Sequence, residues 1–493
     1  MTSEKQVAMH WIGGRWSDAG EHGDSINPAD GSAIGRYASA GLPEAQAAID
    51  AALETFRTSI WKENRLLRNR VLNAMAGEFE RRAEDLAQVL AEENGKTLQQ
   101  ARFEIFTVPR CLRFNAALAL TDYGRTSSIE PGHLSIVVRQ AVGVSGIIAP
   151  WNSPVALVIR SLAPALAAGT SAVVMLPGQS AQTSRLMSEI ISGVPELPPG
   201  VVNMIIGGRE AGNLLVTSPD VPVISFTGST VTGRTISSNA AQHLKRLGLE
   251  LGGKTPMIVF EDADIEMAVK TIVQALIVFA GQFCMTGSRV LVQRAVAEQV
   301  RAELIKRLAA VKVGPASDPQ SEMGPVIDKL NVARIDKMVE EAIAAGAKPL
   351  LRGGPVTEMP LVKGSFYRPT LLEVADSSLP IVQKEVFGPV LTLQVFDSEA
   401  EAVAMANASE YGLSASVWSR DIDRPLRVAH ALESGTVWIN NWASLYDQFE
   451  EGGFKQSGQG RMRGLAVLED FLEYKHIVLS HGTVREAKLS QSR

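Results

Sequence analysis

Short apolar runs alternate with helical patterns along most of the chain from residue 142 onwards. The run "VGVSGIIAP" predicts a buried strand, and the following "VALVIRSLAPALAAG" predicts a helix that ends at Gly169. The run "TSAVVMLP" predicts the next strand, and "SAQTSRLMSEIISGV" predicts a helix capped by Ser180 or another small polar residue. The alternation continues through "GVVNMII", "REAGNLLVTS", "VPVISFTG" and "STVTGRTISSNAAQ". This alternation of strands and helices indicates a parallel sheet covered by helices on both faces.

A second alternation begins after "LELGGKTP". It comprises the strand "MIVF", a helical stretch over residues 265–279, the strand "SRVLVQ" and a helix over residues 295–311. This series predicts a second α/β domain. The N-terminal part differs, because residues 43–119 are strongly helical and "HLSIVVRQ" after them is a strand pattern that belongs to a sheet edge or an intersubunit sheet.

The bulk composition is that of an ordinary globular protein. The chain has 493 residues, more than one core usually supports, and 20% of them are charged. A net charge of −5 without a basic block argues against a nucleic-acid partner and favours small ligands. No secretory signal is visible, and residues 142–169, the most membrane-like stretch, contain Pro154, Arg160 and Pro164. We therefore expect a cytoplasmic protein without a membrane span.

The segment "FTGSTVTG" is a candidate phosphate-binding turn. It follows a buried strand and opens a helix, with Gly228 and Gly233 framing Ser229 and Thr230. Backbone N–H groups and the helix dipole would then face a bound pyrophosphate. On spacing alone, the segment is either an ordinary strand-to-helix turn or a dinucleotide site.

Candidate nucleophiles are few. The chain has no G-x-S-x-G motif, and none of its seven histidines pairs at metal-ligand spacing with a carboxylate or thiol nearby, so we expect no metal site. Two cysteines remain, and a chain of this length needs no disulfide between them, which favours a reducing compartment. Cys111 is assigned as a small buried hydrophobic residue, whereas Cys284 lies in the small, polar stretch "GQFCMTGSR" and is either that or a nucleophile.

Several motifs together resemble the NAD(P)-dependent aldehyde dehydrogenase superfamily. "GQFCMTGSR" is similar to its active-site cysteine signature, and "LELGGK" to its glutamate signature. "PWNSP", "FTGST", "KEVFGPV", "GTVWIN" and "GGFKQSGQGR" resemble further family elements. They follow the family's order and spacing and cover essentially the whole chain.

The resemblance implies a mechanism. Cys284 would attack the aldehyde as a thiolate, and Asn152 would hold the resulting oxyanion together with the backbone N–H of Cys284. Glu250 would be the general base for hydrolysis of the thioester. Acyl-CoA-forming members generally lack this glutamate, so the hydrolytic type is favoured and an acyl-CoA-forming semialdehyde dehydrogenase is the weaker alternative.

The resemblance also implies NAD as the cofactor. Family members usually have a lysine where Leu176 stands and often a glutamate where Gln179 stands, near the adenosine ribose, so NADP stays open as an alternative. The implied cofactor contacts are Trp151, Gly228, Ser229, Thr230, Gly233, Leu251, Glu385 and Phe387.

The fold implied by the resemblance is α/β and has three parts. Residues 1–122 and 142–252 would form a Rossmann-like cofactor domain, and residues 253–468 an α/β catalytic domain. Residues 123–141 and 469–493 would form a small β oligomerisation element that contains "HLSIVVRQ" and "LEYKHIVL". This element implies a homodimer or homotetramer.

The chain departs from the family pattern near the catalytic residues. Residues 160–161 read Arg-Ser where many members have Trp-Lys, which puts a proton relay through that lysine in doubt. Met462 stands where some members carry a second glutamate. Glu250 would then be the only carboxylate base.

The segment before "GGFKQSG" is unusual, since it reads Phe-Glu-Glu where many members have Pro-Phe. One hypothesis is that acidic and aromatic side chains here bind a cationic amino- or betaine-type aldehyde by charge and cation–π contact. The alternative is that Glu450 and Glu451 face solvent or a subunit contact, and that the enzyme accepts aliphatic and aromatic aldehydes broadly. The candidate substrate residues are Trp442, Tyr446, Glu450 and Glu451.

Overall fold

The computed structural model describes residues 7–482, which form two layered α/β units and smaller sheets. The first unit is built on an eight-stranded sheet whose five central strands are parallel. In spatial order its strands are Gly458–Gln459, Arg246–Glu250, Val223–Thr227, Val144–Ile148, Ser171–Leu176, Val202–Ile206, His10–Ile12 and Arg15–Ser17. The helices of this unit are Leu42–Thr58, Arg65–Arg81, Ala83–Asn94, Leu98–Thr121, Pro154–Ala168, Ala181–Ser192, Arg209–Thr217 and Thr230–Ala240.

The second unit is built on a seven-stranded sheet, parallel except for its first strand. Its strands are Lys348–Leu351, Thr370–Glu373, Val390–Phe396, Arg289–Gln293, Pro256–Val259, Ser414–Trp418 and Thr436–Ile439. Its helices are Ile265–Ile277, Ala297–Ala309, Lys329–Ala344, Pro380–Gln383, Glu399–Asn407 and Arg424–Ala431. The predicted α/β class with two sheets is therefore confirmed.

Four small sheets complete the described fold. One joins Val7–Ala8, Ala33–Ser39 and Glu21–Ile26, and two are strand pairs, Gly354–Pro355 with Tyr367–Arg368 and Tyr411–Gly412 with Phe454–Lys455. The fourth joins Leu472–Ser480, His133–Ala141 and Arg125–Ser127. In it, the two long strands pair in antiparallel fashion over nine residue pairs, from Leu472 opposite Ala141 to Ser480 opposite His133.

Of two predicted helix ends, the structure confirms the one at Gly169 but not the cap by Ser180. Ser180 precedes the helix Ala181–Ser192, but its side chain does not cap it. The buried carboxylate of Glu93 instead accepts the N–H groups of Gln182 and Thr183, both at 2.8 Å. At Gly169 the prediction holds, because this glycine ends its helix with a φ of 100° and donates its N–H to Ala165.

The strand Gly458–Gln459 links the two units. It pairs in antiparallel fashion with Arg246–Glu250, so Gly458 lies opposite Glu250. Residues 458–459 were expected in the catalytic domain, yet they extend the sheet of the first unit. The division into domains stays a prediction, and its segments 1–6 and 483–493 lie outside the described residues. Within residues 7–482, no helix combines the length and the apolar character needed to cross a membrane.

Candidate active site

A tight turn brings Cys284 to the cleft between the two sheets. The helix Ile265–Ile277 ends two residues before the expected position, because Phe279 and Ala280 have positive φ angles of 49° and 53°. Gly281 follows with a φ of 73°, and a Cβ there would lie 2.3 Å from the carbonyl carbon of Gly388. Only glycine fits this close approach of two backbone segments.

The Cys284 side chain is partly exposed and packs, like those of Phe283, Trp442 and Leu445, against the buried cluster of Met285, Leu413 and Trp438. Burial raises the pKa of the thiol well above its usual value, and the nearby carboxylate of Glu250 raises it further. The resting residue is therefore a thiol and needs a base to become a nucleophile. Cys111 is buried as expected, and burial raises its pKa to about 12.

Asn152 lies buried in the loop that precedes the helix Pro154–Ala168. Its side-chain amide donates one N–H to the carbonyl of Gln282 at 2.9 Å, which ties the loop to the cysteine turn. The second amide N–H remains for a ligand, since an asparagine side chain carries two donors.

Three upstream residues brace the loop that carries Asn152, and the sequence analysis missed them. Glu104 accepts the N–H groups of residues 155 and 156 at 3.0 and 3.1 Å and so caps the helix that starts there. Lys96 pairs with Glu104, donates to Ser153 Oγ at 3.1 Å and lies 3.7 Å from the ring centroid of Phe279. Asn94 Nδ2 donates to the carbonyl of residue 151 at 2.5 Å. No local pattern marks these residues, because they stand about fifty positions upstream.

Glu250 ends the strand Arg246–Glu250 and is almost fully buried, at 1% exposure. Its Oε2 accepts a hydrogen bond from Arg160 Nη1 at 2.7 Å, and its Oε1 has no partner among the described residues. Burial raises the pKa of Glu250 to about 8, although Arg160 acts to lower it. A carboxylate with a pKa in this range is well suited to be a general base near neutral pH.

Arg160 connects Glu250 to a second buried carboxylate, that of Glu451. The same Nη1 atom donates to Glu451 Oε1 at 2.7 Å, and Nη2 donates to Thr227 Oγ1 at 3.0 Å. The other oxygen of Glu451 accepts from Arg463 Nε at 2.7 Å, and Arg463 also pairs with Asp447. Burial acts to raise the pKa of Glu451, but the two guanidinium groups hold it at about 2.

The structure contradicts the predicted role of Glu451 as a substrate carboxylate, whereas the role of Glu450 stays a prediction. Both oxygens of Glu451 are already bound by arginines in the interior, so it faces neither substrate nor solvent. Glu450 is exposed and accepts the N–H groups of residues 465 and 466 at 3.0 and 3.3 Å. A sequence pattern of two adjacent acids gives no signal that one of them is buried.

The predicted aromatic residues lie at two depths. Trp442 lies against the cysteine turn, with its Nε1 donating to the carbonyl of Met285 at 2.9 Å and its ring edge-on to Phe283 at 6.0 Å. Tyr446 is exposed and stacks edge-on with the equally exposed Phe449 at 6.5 Å. Trp442 is thus the predicted substrate residue that contacts the cysteine turn.

A cavity of about 330 Å³ brings most of the predicted site residues together. Its lining includes Trp151, Asn152, Gly228, Ser229, Glu250, Leu251, Cys284, Glu385 and Phe387. Thr230 and Gly233 do not line it: the hydroxyl of Thr230 donates to the carbonyl of Gln456, and a Cβ at Gly233 would lie 2.6 Å from the Leu251 side chain. The lining also contains Asn331 and Arg334, which the sequence analysis missed.

Glu385 is one of the residues that line this cavity. Burial raises its pKa to about 7, and its Oε1 accepts the N–H of Gly253 at 3.3 Å. Beside it, the ring of Phe387 packs edge-on against Trp151 at 5.7 Å.

A larger neighbouring cavity of about 810 Å³ shares Pro150, Thr227 and Gly228 with the first. It follows the carboxyl ends of the parallel strands, where doubly wound sheets bind ligands. Ser229 caps the helix Thr230–Ala240 at its rim by accepting the N–H of Thr232 at 3.2 Å. Leu176 is fully buried and does not line this cavity, and Gln179 lines a separate one.

Comparison with known proteins gives consistent results. Residues 16–477 match the model of the aldehyde dehydrogenase family. Betaine aldehyde dehydrogenase of Bacillus subtilis is 40% identical over 95% of this chain and 96% of its own. 2-Aminomuconic semialdehyde dehydrogenase of Danio rerio is 36% identical over 96% and 98%. The crystal structure of Staphylococcus aureus betaine aldehyde dehydrogenase in complex with NAD⁺ has a TM-score of 0.94, with 35% identity over 98% of this chain and 97% of that one. The chain therefore belongs to the aldehyde dehydrogenase family.

Proposed function

We propose that this aldehyde dehydrogenase uses NAD to convert an aldehyde with a cationic amino or trimethylammonio group into the carboxylic acid, through covalent catalysis at Cys284. The observation that carries the proposal is that Cys284, Asn152 and Glu250 line one cavity. They are a nucleophile, a donor for an oxyanion and a base, which together suffice for acyl transfer to water.

The cavities suit a dinucleotide. The larger one has the N-terminus of the helix Thr230–Ala240 at its rim, and a Cβ at Gly208, which lines it, would meet no atom within 4 Å. An open glycine wall and a helix N-terminus are the features that admit a pyrophosphate. Ser229 and Gly228 would hold the phosphates, and Glu385 the nicotinamide ribose. When bound, NAD supplies the acceptor for the hydride that leaves the substrate carbon.

The first step falls to Cys284 and Asn152. The thiol passes its proton to the ionised form of Glu250, whose pKa is raised to about 8 by burial and which lies close enough to raise the thiol's own pKa. The thiolate attacks the aldehyde carbon, and the free N–H of the Asn152 amide stabilises the negative charge on the oxygen. The bond from Asn152 to Gln282 keeps this donor beside the cysteine turn.

The second step is hydrolysis of the thioester on Cys284. Glu250 removes a proton from water, the hydroxide adds to the acyl carbon, and the thiolate leaves with the carbon–sulfur electron pair. The free Oε1 of Glu250 is the atom available to that water, since Oε2 is bound to Arg160. The product is the carboxylic acid.

A cationic substrate is supported by the aromatic rings rather than by the acidic residues. The rings of Phe283 and Trp442 pack edge-on, 6.0 Å apart, and Trp442 Nε1 donates to the carbonyl of Met285, next to Cys284. We expect the substrate's chain beyond the aldehyde to lie along these rings. The faces of aromatic rings attract quaternary ammonium groups. The similarity to a betaine aldehyde dehydrogenase supports the same substrate class.

The experiment compares betaine aldehyde with 3,3-dimethylbutanal, its neutral carbon isostere, by the rate of nicotinamide reduction with NAD and with NADP. A cation–π contact of about 0.5–2 kcal/mol predicts that kcat/KM is about 2- to 30-fold higher for the cation. Trp442→Leu should remove this preference, and Phe449→Leu, at an exposed ring, should keep it. Equal rates for the two aldehydes, or a faster acidic semialdehyde, would refute the cationic substrate class.

We also propose that the chain assembles as a homodimer or homotetramer through the strand Leu472–Ser480. This strand forms one edge of its sheet, and Tyr474, Ile477, Val478 and Leu479 on it are exposed. An exposed apolar edge strand is a template for pairing with another chain. Light scattering after size exclusion should show an oligomer for the full chain and a monomer after removal of residues 472–493.

A further inference from the structure

Arg160 binds the predicted base and a second carboxylate with a single nitrogen atom. Its Nη1 donates to Glu250 Oε2 and to Glu451 Oε1, each at 2.7 Å. All three side chains are at most 4% exposed. Because one donor serves two carboxylates, a change in the charge of Glu451 must alter the pKa of Glu250.

The buried network holds more carboxylates than cations. It comprises the carboxylates of Glu250, Glu451 and Asp447 and the guanidinium groups of Arg160 and Arg463. In a buried setting this imbalance favours retention of one proton. Arg463 contacts Glu451 and Asp447, so the proton is left to Glu250.

The other titratable groups that face the network carry little charge. The Cys284 thiol lies beside Glu250 and Arg160, and the Cys111 thiol lies beside Arg463 and Asp447. Burial raises the pKa of both thiols, so both are neutral near pH 7. Glu385 is near enough to Cys284 to raise its pKa. Glu451 is therefore the closest negative charge to Glu250.

The backbone explains how Glu451 reaches this place. Glu451 and Met462 lie opposite each other in an isolated antiparallel bridge, with N–H···O distances of 2.7 and 2.6 Å in the two directions. Met462 is the position where some family members carry a second glutamate. In this chain the carboxylate comes from the facing strand, and Arg160 links it to the base.

Resting on the proposed function, we infer that Glu451 is a positioning residue that sets the pH at which Glu250 acts as a base, by sharing Arg160 with it. Arg463 fixes Glu451, Glu451 fixes the guanidinium group of Arg160, and Arg160 fixes one oxygen of Glu250. The negative charge of Glu451 makes Glu250 bind its proton more tightly. The general base is thus stronger than an isolated glutamate would be.

The test is the pH profile of Glu451→Gln, which keeps the shape of the side chain and removes its charge. The burst of NADH reports the first step, and the steady state after it reports thioester hydrolysis. We expect the acid limb of the hydrolysis rate to move to lower pH by about one unit, the size of effect that one nearby charge has. Glu451→Asp, which retains the charge, should restore the wild-type limb. Glu450→Gln is the matched control at the adjacent exposed acid and should not move it.

A second readout needs no aldehyde. Infrared titration of the resting protein follows the carbonyl band of a protonated carboxylic acid, which Glu250→Gln should remove. In Glu451→Gln the band should disappear at lower pH than in the wild type. Asp447→Asn should give the same shift, because it leaves two carboxylates with two guanidinium groups, and it serves if Glu451→Gln does not fold.

A titration of Glu250 that coincides in the wild type and in the folded variants would overturn the inference. A wild type that does not reduce NAD with any aldehyde would instead refute the proposed function, while the infrared titration would still test Glu451. The two failures are thus distinguishable.

Discussion

Replacement of Asn152 by alanine tests the assignment of the oxyanion donor. The amide of Asn152 gives one N–H to Gln282 at 2.9 Å, which leaves one N–H for the substrate oxygen. Loss of a single oxyanion donor lowers kcat by about 10²- to 10³-fold, equivalent to about 2.7–4 kcal/mol. The backbone N–H of Cys284 remains, so the variant should keep residual activity.

The measurement is the rate constant of the NADH burst, because the oxyanion forms before the hydride leaves. Alkylation of Cys284 by iodoacetamide shows in parallel whether the cysteine turn has moved, since the bond to Gln282 is lost as well. Asn115→Ala is the matched control, because Asn115 is also buried and donates to a carbonyl, that of Cys111, at 2.9 Å. A burst that slows by less than about tenfold, with unchanged alkylation, would show that Asn152 is not the oxyanion donor.

Three further predictions follow from the site. Because burial raises the pKa of Cys284 well above its usual value, alkylation without NAD should be slow at neutral pH and rise through the alkaline range, as thiol loss followed by mass spectrometry will show; a pH-independent rate would contradict this. Glu385→Gln should raise the KM for NAD more than it lowers kcat, and an unchanged KM would separate Glu385 from the cofactor. Lys96→Met leaves Glu104 buried without its cation, so we expect a loss of about 3–5 kcal/mol of unfolding free energy and a slower burst, with Lys306→Met at an exposed lysine as the control.

Most of the fold was predictable because buried parallel strands and their covering helices have strong local patterns. The misses come from interactions between distant segments. The helix that follows the strand Pro256–Val259 ends early because Phe279 and Ala280 adopt positive φ angles, which no local propensity of these residues indicates. The helix cap expected from Ser180 is provided by Glu93, 89 positions before the N–H group of Gln182 that it accepts.

The site was predictable only where a motif marked it. Cys284, Asn152 and Glu250 stand in recognisable stretches, and the structure places them around one cavity. Arg160 was noticed only as a departure inside an apolar helix, because its partners Glu250 and Glu451 are 90 and 291 positions away. Glu451 was misassigned for the same reason, since the burial of a charged side chain depends on its partners and leaves no trace in its neighbours along the chain.

The short strands after Glu451 limit how the cleft can open. Gly458–Gln459 is paired with Arg246–Glu250 in the sheet of the first unit. Phe454–Lys455 is paired with Tyr411–Gly412, which directly precedes the strand Ser414–Trp418 of the second unit. Residues 454–459 are thus paired at one end with the first unit and at the other end with a strand beside the second sheet. If the two units moved apart, the hydrogen bonds of these strand pairs would have to break, including the pairing of Gly458 with Glu250. We therefore expect cofactor and aldehyde to enter and leave through the open ends of the cleft, without a separation of the two units.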